Sequence, residues 1–343
     1  MNNLLIKGDN IRGLNYLINE KSLLGKIDLV YIDPPFATNS VFTISDGRSS
    51  TISNSRNGDI AYKDKLTGSS FIDFLRDRLI IIKDLLSEQG SIYLHIDYKI
   101  GHYVKVMMDE VFGIENFRND ITRIKCNPKN FKRLGYGNIK DLILFYSKTP
   151  KPIWHEPLIK YEDVDLKKRF PKIDKQGRRY TTVPIHAPGE TINGKSNQPF
   201  RGQLPPAGRH WRTDVETIEE WDNNGLIEWS STGNPRKIIF ADENKGKRVQ
   251  DIWNFKDPQY PSYPTEKNSE MLDLIVKTSS DPDSIVLDCF CGSGTTLMSA
   301  HKLNRKWIGI DESDFAISAT VKKLYMFKED LFNDKPNYEY VEL

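Results

Sequence analysis

The chain has 343 residues, enough for a sizeable core built as one large domain with an insertion or as two domains. Its 49 Lys and Arg nearly cancel 47 Asp and Glu, which excludes global basicity as a source of nucleic-acid affinity; a polyanion-binding surface would have to come from local segregation of charge. The first ten residues lack the cationic and apolar layout of a signal peptide, no segment approaches a bilayer-spanning apolar run, and three cysteines give no disulfide framework, so the expectation is a soluble cytoplasmic protein with reduced thiols.

From Leu4 to Tyr146 short apolar runs alternate with helical periodicity, the pattern of parallel strands joined by crossover helices. Strands are expected at Ile27 to Ile32, Ser91 to Ile96 and Asp141 to Tyr146. Between the first two, Phe71, Leu75, Leu79, Ile82 and Leu86 recur at helical spacing and predict a helix laying one apolar face on the sheet. Ala37 to Ser70, rich in Ser, Asn, Gly and Asp, is too long for an ordinary connection and reads as a mobile lid or a disordered loop. His95 and Asp97 end a core strand, where a buried, satisfied histidine is favoured over a catalytic one.

The α/β grammar stops near Lys148 and resumes near Asp257. The intervening stretch is rich in proline and glycine and poor in apolar runs, so three segments are expected: 1–147 as one part of an α/β core, 148–257 as a loop-rich insertion, and 258–343 as the second part of the same core. Residues 151 to 213 hold thirteen Lys or Arg against six Asp or Glu, whereas 214 to 256 hold six against nine. In the final segment a helix is predicted over Ser269 to Thr278, a strand at Ile285 to Leu287, a helix from Thr295 to Leu303 and a strand at Trp307 to Ile310.

Asp33-Pro34-Pro35-Phe36 follows the first apolar strand. Each residue before a proline is pushed into extended backbone, so the chain leaves the strand stiffly and without starting a helix. The turn offers the Asp33 carboxylate and the Pro34 carbonyl as two acceptors beyond the carboxyl end of the sheet, where open α/β folds bind ligands. Two acceptors suit an NH2 group on an aromatic ring. Such a nitrogen is a poor nucleophile until both N–H bonds are held, and a charge-assisted bond to Asp33 favours the tetrahedral form as positive charge develops. Phe36 is the stacking candidate for the base.

Asp288-Cys289-Phe290-Cys291-Gly292-Ser293-Gly294-Thr295 follows a later strand. Gly292 and Gly294 permit close backbone approach, the following helix presents its N-terminal N–H groups, and Asp311 ends the next strand where an acid accepts from ribose hydroxyls. That set describes a site for a nucleoside-containing cofactor. Neither a full G-x-G-x-x-G nor a phosphate loop is present, which disfavours dinucleotides and nucleoside triphosphates, and Cys289-x-Cys291 lacks the second ligand pair of a zinc site.

With Tyr263-Pro264-Thr265-Glu266-Lys267 just upstream of the glycine loop, these residues resemble the permuted, beta-group amino-methyltransferases of DNA, specifically the N6-adenine type of restriction-modification systems. The resemblance covers nearly the whole chain. It implies a permuted class I α/β fold (Rossmann-like, a mostly parallel sheet with helices on both faces) with an inserted target-recognition region, S-adenosylmethionine as cofactor, and transfer of a methyl group to the N6 amino group of a flipped adenine in double-stranded DNA. It also implies frequent homodimerisation, a prokaryotic, nucleoid-associated setting, and opens the question of a cognate restriction endonuclease.

Asp33, Pro34, Pro35 and Phe36 correspond to the catalytic motif; Asp288, Phe290, Gly292, Ser293, Gly294 and Thr295 to the cofactor loop. Asp311 corresponds to the ribose acceptor, Thr265, Glu266 and Lys267 to the segment closing over the cofactor, and Gly8-Asp9-Asn10 to the turn beside the cofactor adenine. The chain departs from the family in carrying Cys289 and Cys291 where proline and alanine are usual, Tyr263 for a frequent histidine and Asn268 for a frequent proline.

In the insertion, Arg178, Arg179, Tyr180, Arg201, Arg209, His210 and Arg212 are the DNA-contact candidates, part of a basic run interleaved with His186, Phe200 and Trp211. Methylation of the N4 amino group of cytosine is the alternative reaction, since it needs the same two acceptors. A DNA-binding regulator without turnover and a nicotinamide oxidoreductase are the readings from other classes.

Overall fold

The computed structural model describes residues 2–35, 41–45, 48–51, 59–63, 69–128, 132, 134–191, 194–259, 266–327 and 335–343. Two compact units result, one of Met1–Pro157 with Gln250–Leu343 and one of Leu158–Val249, a second unit narrower at both ends than the insertion expected at 148–257.

The first unit begins with β1 (Asn3–Lys7), α1 (Asn10–Asn19), β2 (Ile27–Ile32), β3 (Val41–Ser45), β4 (Arg48–Thr51), β5 (Asp59–Lys63), α2 (Ser69–Leu85), β6 (Leu86–Ile96), α3 (Gly101–Phe112), β7 (Phe117–Ile124) and β8 (Lys140–Ser147). The second unit holds β9 (Leu158–Ile159), α4 (Asp163–Arg169), β10 (Lys172–Ile173), β11 (Arg179–Pro184), β12 (His186–Pro188), β13 (Arg209–Trp211), α5 (Val215–Asn223), β14 (Ile227–Trp229), β15 (Pro235–Phe240) and β16 (Lys247–Arg248). The first unit then resumes with β17 (Ile252–Trp253), α6 (Ser269–Ser279), β18 (Ile285–Asp288), α7 (Thr295–Lys302), β19 (Lys306–Asp311), α8 (Asp314–Tyr325) and β20 (Tyr338–Glu342).

Nine of these strands form one sheet in the order β17-β7-β8-β6-β2-β18-β19-β1-β20. Its central strands are buried on both faces over Val30 to Ile32 of β2 and Ser91 to Ile96 of β6, which is why these stretches read as mostly apolar runs without alternation. The α2 stripe of Phe71, Leu75, Leu79 and Ile82 is fully buried in the core beside Val30, Ile32, Ile92 and Leu94. The functionally decisive adjacency is between β2 and β18: they are parallel neighbours, with Val286 beside Leu29 and Leu287 beside Val30, although their residues lie more than 250 positions apart.

Two expectations are corrected. The strand at 141–146 is present, as β8, but it runs antiparallel to β6, with Ser91 opposite Ser147 and Ile96 opposite Leu142. An apolar run looks the same in either direction; here the chain reaches β8 from its antiparallel neighbour β7 without a crossover helix. For 37–70, expected as either a mobile lid or a disordered loop, the described residues hold regular structure that goes against the second: β3 pairs antiparallel with both β4 and β5. Composition hid the β-favouring run Val41-Phe42-Thr43-Ile44.

The second unit carries its own sheet, β10-β11-β15-β14, and a small core of Ile185, Phe200, Trp211, Val215 and Ile218. Phe200 and Trp211 are therefore core residues, contrary to their expected place on a DNA-facing surface: both are buried, and the Trp211 indole N–H donates to the Gln198 carbonyl.

Candidate active site

Because β2 and β18 are parallel neighbours, the residues that follow them, Asp33 and the turn from Asp288 onward, emerge side by side at the carboxyl end of the central strands. Asp288 is buried. Its Oδ2 accepts from the Thr296 hydroxyl at 2.6 Å and its Oδ1 from the Phe290 N–H at 3.0 Å, and burial pushes its carboxyl up to about 7. Asp311, at the end of β19, accepts from the N–H of Gly292 at 2.8 Å and of Ser313 at 2.9 Å; burial raises it to about 6 despite those bonds. Gly294 precedes α7 in the left-handed region, φ +73°, where a Cβ would come within 2.8 Å of the Thr320 side chain, so only glycine fits the turn.

The segment before α6 bridges the two motifs. Lys267 places its ammonium 2.5 Å from Oδ2 of Asp33, and the preceding Glu266 accepts at 2.6 Å from Lys323 of α8. Lys323 also donates to Ser293 Oγ at 3.2 Å and Thr295 Oγ1 at 3.0 Å. Oδ1 of Asp33 is buried and, among the described residues, has no hydrogen-bond partner. The α6 N-cap Asn268 fixes the segment's exit by accepting from the Met271 N–H at 3.1 Å.

At the far side of the glycine loop, Asp9 caps α1 by accepting from the Arg12 N–H, and the Asn10 amide donates to the Cys289 carbonyl at 3.4 Å. Arg78, buried on α2, donates to Asn10 Oδ1 at 2.5 Å and to Asp9 Oδ2 at 3.4 Å while lying 3.4 Å above the Phe74 ring. Phe74 in turn packs against Phe290, ring centroids 6.1 Å apart.

Behind the Asp33 edge lies a buried polar chain. The Tyr31 hydroxyl is 2.9 Å from His95 Nδ1, and His95 Nε2 is 3.3 Å from Asp141 Oδ2. Asp141 also pairs with Lys125 at 2.6 Å and Arg123 at 3.5 Å. Burial lowers the His95 imidazole below its ordinary value, while bonds from His95 and Lys125 outweigh burial and hold Asp141 well below the carboxylate range. His95 is thus buried and satisfied; Asp97, also buried, accepts from the Lys99 N–H.

Tyr31, Asp33, the glycine loop, Asp311 and the Asp9–Asn10 turn line one cavity of about 180 Å³, with His95 and Asp141 behind it. Of the residues expected from sequence, it brings together Asp9, Asn10, Asp33, Pro35, Glu266, Lys267, Asp288, Phe290, Gly292, Ser293, Thr295 and Asp311. Pro34 and Gly294 do not line it, and Phe36 and Thr265 lie outside the described residues. Tyr31, Phe74, Arg78, Leu272, Thr296, Glu312 and Ser313 also line it and were missed, alongside Cys289 and Cys291 of the glycine loop. Arg78 sits on the apolar face of its helix, a polar residue in a hydrophobic stripe, which was the available signal. Among the described residues the lining has six carboxyl groups (Asp9, Asp33, Glu266, Asp288, Asp311, Glu312) against two cations, Arg78 and Lys267. That balance disfavours phosphates and fits a cationic, nucleoside-bearing ligand.

In the second unit the DNA-contact candidates separate into two groups. Arg178 is held by Asp242 and Glu243, Arg201 by Asp222, and the Tyr180 hydroxyl donates to Glu228; Arg179 is half-buried against the Phe170 carbonyl. Arg209 and Arg212, by contrast, are exposed around the paired β12 and β13, with His210 beside them and His186 between the two guanidinium groups.

Comparison with known proteins adds four findings. A family model described as DNA methylase, of the N6/N4 type, matches residues 27–322. The chain is 42% identical over 327 residues to the Type II methyltransferase M.EcaI of Enterobacter cloacae, covering 94% of this chain and 69% of that one. It is 25% identical to the probable type III restriction-modification enzyme HindVI Mod subunit of Haemophilus influenzae, of which it spans half the length, and its fold matches the solved cytosine-N4-specific PvuII DNA methyltransferase with a TM-score of 0.51 at 14% identity, covering all of this chain and 95% of that one.

Proposed function

Since this chain belongs to the DNA methylase family, we propose that it transfers a methyl group from S-adenosylmethionine to the N6 amino group of an adenine in double-stranded DNA, as the modification enzyme of a restriction-modification system. The observation that carries the reading is Oδ1 of Asp33, buried and without a hydrogen-bond partner among the described residues, on the same cavity as the Asp288 to Thr295 loop and Asp311. The acid-rich lining suits the sulfonium and ammonium charges of the cofactor.

The cofactor supplies an already electrophilic methyl group. What remains for the protein is placement. Asp311 is positioned to accept from ribose hydroxyls, Phe74 and Phe290 offer apolar faces near Asp9 and Asn10 for the nucleobase, and the Asp33 carboxylate receives an N–H of the target amine; the second N–H goes to the Pro34 carbonyl on the resemblance of the tetrapeptide alone, since Pro34 does not line the cavity. Alignment of that kind contributes on the order of 7–11 kcal/mol. Extruding the adenine costs a few kcal/mol, offset by stacking and contacts in the pocket, with Phe36 the stacking group. Arg209, His210 and Arg212, whose side chains bond only to His186 and the Gly189 carbonyl among the described residues, are the leading phosphate and base contacts, ahead of Arg178, Tyr180 and Arg201, which carboxylates of their own unit hold, and of half-buried Arg179. Asp33 in the tetrapeptide, rather than serine, supports adenine over cytosine.

No helix among the described residues is long and apolar enough to cross a membrane, in keeping with an enzyme working on DNA in the cytoplasm of a prokaryote. A homodimer and a cognate endonuclease are its proposed partners. Nucleoside analysis of DNA from cells expressing the protein tests the reading: N6-methyladenine is expected, absent with Asp33→Ala, and N4-methylcytosine in its place would overturn the choice of base.

A further inference from the structure

Lys267 belongs, by resemblance, to the segment closing over the cofactor, but its ammonium is placed on Asp33. The pair is largely enclosed, with side-chain exposures of 10% and 15%. One carboxylate oxygen is thereby anchored at 2.5 Å while the other, also buried, has no partner among the described residues. A buried acceptor in that state is unusual in a folded protein and calls for an occupant. The anchor is itself seated: Glu266, one residue earlier, is held by Lys323, which also grips Ser293 and Thr295, and Asn268, one residue later, caps α6.

We propose that Lys267 is a positioning residue for methyl transfer, which holds Oδ2 of Asp33 so that Oδ1 is left, correctly oriented, to accept an N–H of the target amine. This rests on the reading of Asp33 given above. A carboxylate without the ion pair rotates about its Cβ–Cγ bond and presents its lone pairs in many directions; with it, one oxygen is committed to the protein and the other to the base. The pair also neutralises Asp33, which suits a group that orients the amine more than one that removes its proton before attack.

The experiment is a cycle of Lys267→Met, Lys267→Arg, Asp33→Asn and the Lys267→Met/Asp33→Asn double variant. Single-turnover transfer to DNA is measured together with calorimetric binding of S-adenosylhomocysteine. Lys267→Met is expected to lose about 100-fold in rate, as misplacement of a reacting group does. Its affinity for S-adenosylhomocysteine should stay within about threefold, with part of the rate restored in Lys267→Arg. In the Asp33→Asn background the same substitution should add less than about twofold, because residues acting as a unit are not additive. A loss of affinity as large as the loss of rate would make Lys267 a cofactor ligand and overturn the proposal, as would an undiminished effect in the Asp33→Asn background. A wild-type protein that binds S-adenosylhomocysteine but methylates no DNA would overturn the parent reading along with this one.

Discussion

The Tyr31 hydroxyl donates to Nδ1 of His95 across 2.9 Å of buried space, and the direction of that bond follows from the next one. Asp141 is ionised and accepts only, so the single N–H of the neutral imidazole sits on Nε2 and leaves Nδ1 as acceptor. Tyr31→Phe strands that acceptor and should destabilise the protein by about 1–3 kcal/mol in urea denaturation. Because burial lowers the folded-state value of His95 below 6.5, its contribution is present above that value and is lost as pH falls through it. Wild type should therefore lose more stability than His95→Gln between pH 7 and 5; equal losses would refute the assignment.

Asp288 titrates with the opposite sign. Its carboxyl is raised by burial to about 7, so the ligand-free protein binds more protons folded than unfolded, and this contribution is lost as pH rises toward and through 7. Between pH 5 and 8 the loss should be on the order of 2–3 kcal/mol relative to Asp288→Asn. Parallel stability profiles for the two proteins would contradict it.

Gly294→Ala combines a left-handed φ with a clash against Thr320. It should cost about 1–3 kcal/mol of stability and displace the start of α7. Affinity for S-adenosylhomocysteine, read by calorimetry, is expected to fall by roughly tenfold or more.

Arg212→Ala should weaken DNA binding at all sequences and reduce the salt dependence of binding by about one counterion. Arg178→Ala, whose guanidinium is already occupied by Asp242 and Glu243, should do neither to a comparable extent. Fluorescence anisotropy at several salt concentrations separates the two, and equal effects would place the contact surface elsewhere.

Much of the core was legible because parallel central strands and amphipathic helices leave unambiguous periods, as at Ile27 to Ile32 and along the Phe71 to Ile82 stripe. Strand direction at Lys140–Ser147 was not, since residue pattern carries no information on which connection precedes a strand. The acidic residues of the site announced themselves beside prolines and glycines. Arg78, Tyr31 and Lys323 did not, because each is set by a partner distant in sequence: Asn10 for the first, His95 for the second, Glu266 for the third. Trp211 and Phe200 misled for the converse reason, since aromatic residues among arginines read alike whether they face solvent or close a small core.

The placement of β18 and β19 between β2 and β1 governs how the polypeptide must be made. While the ribosome is still translating the middle of the message, β1 lacks both of its lateral partners and β2 has one open side, so β2 waits for Val286, 257 positions after Leu29, and β1 for Ile308, 304 positions after Leu4. At translation speeds of about 5–20 residues per second that wait is on the order of tens of seconds. Its yield in cells should therefore respond to elongation rate more than its final stability would suggest.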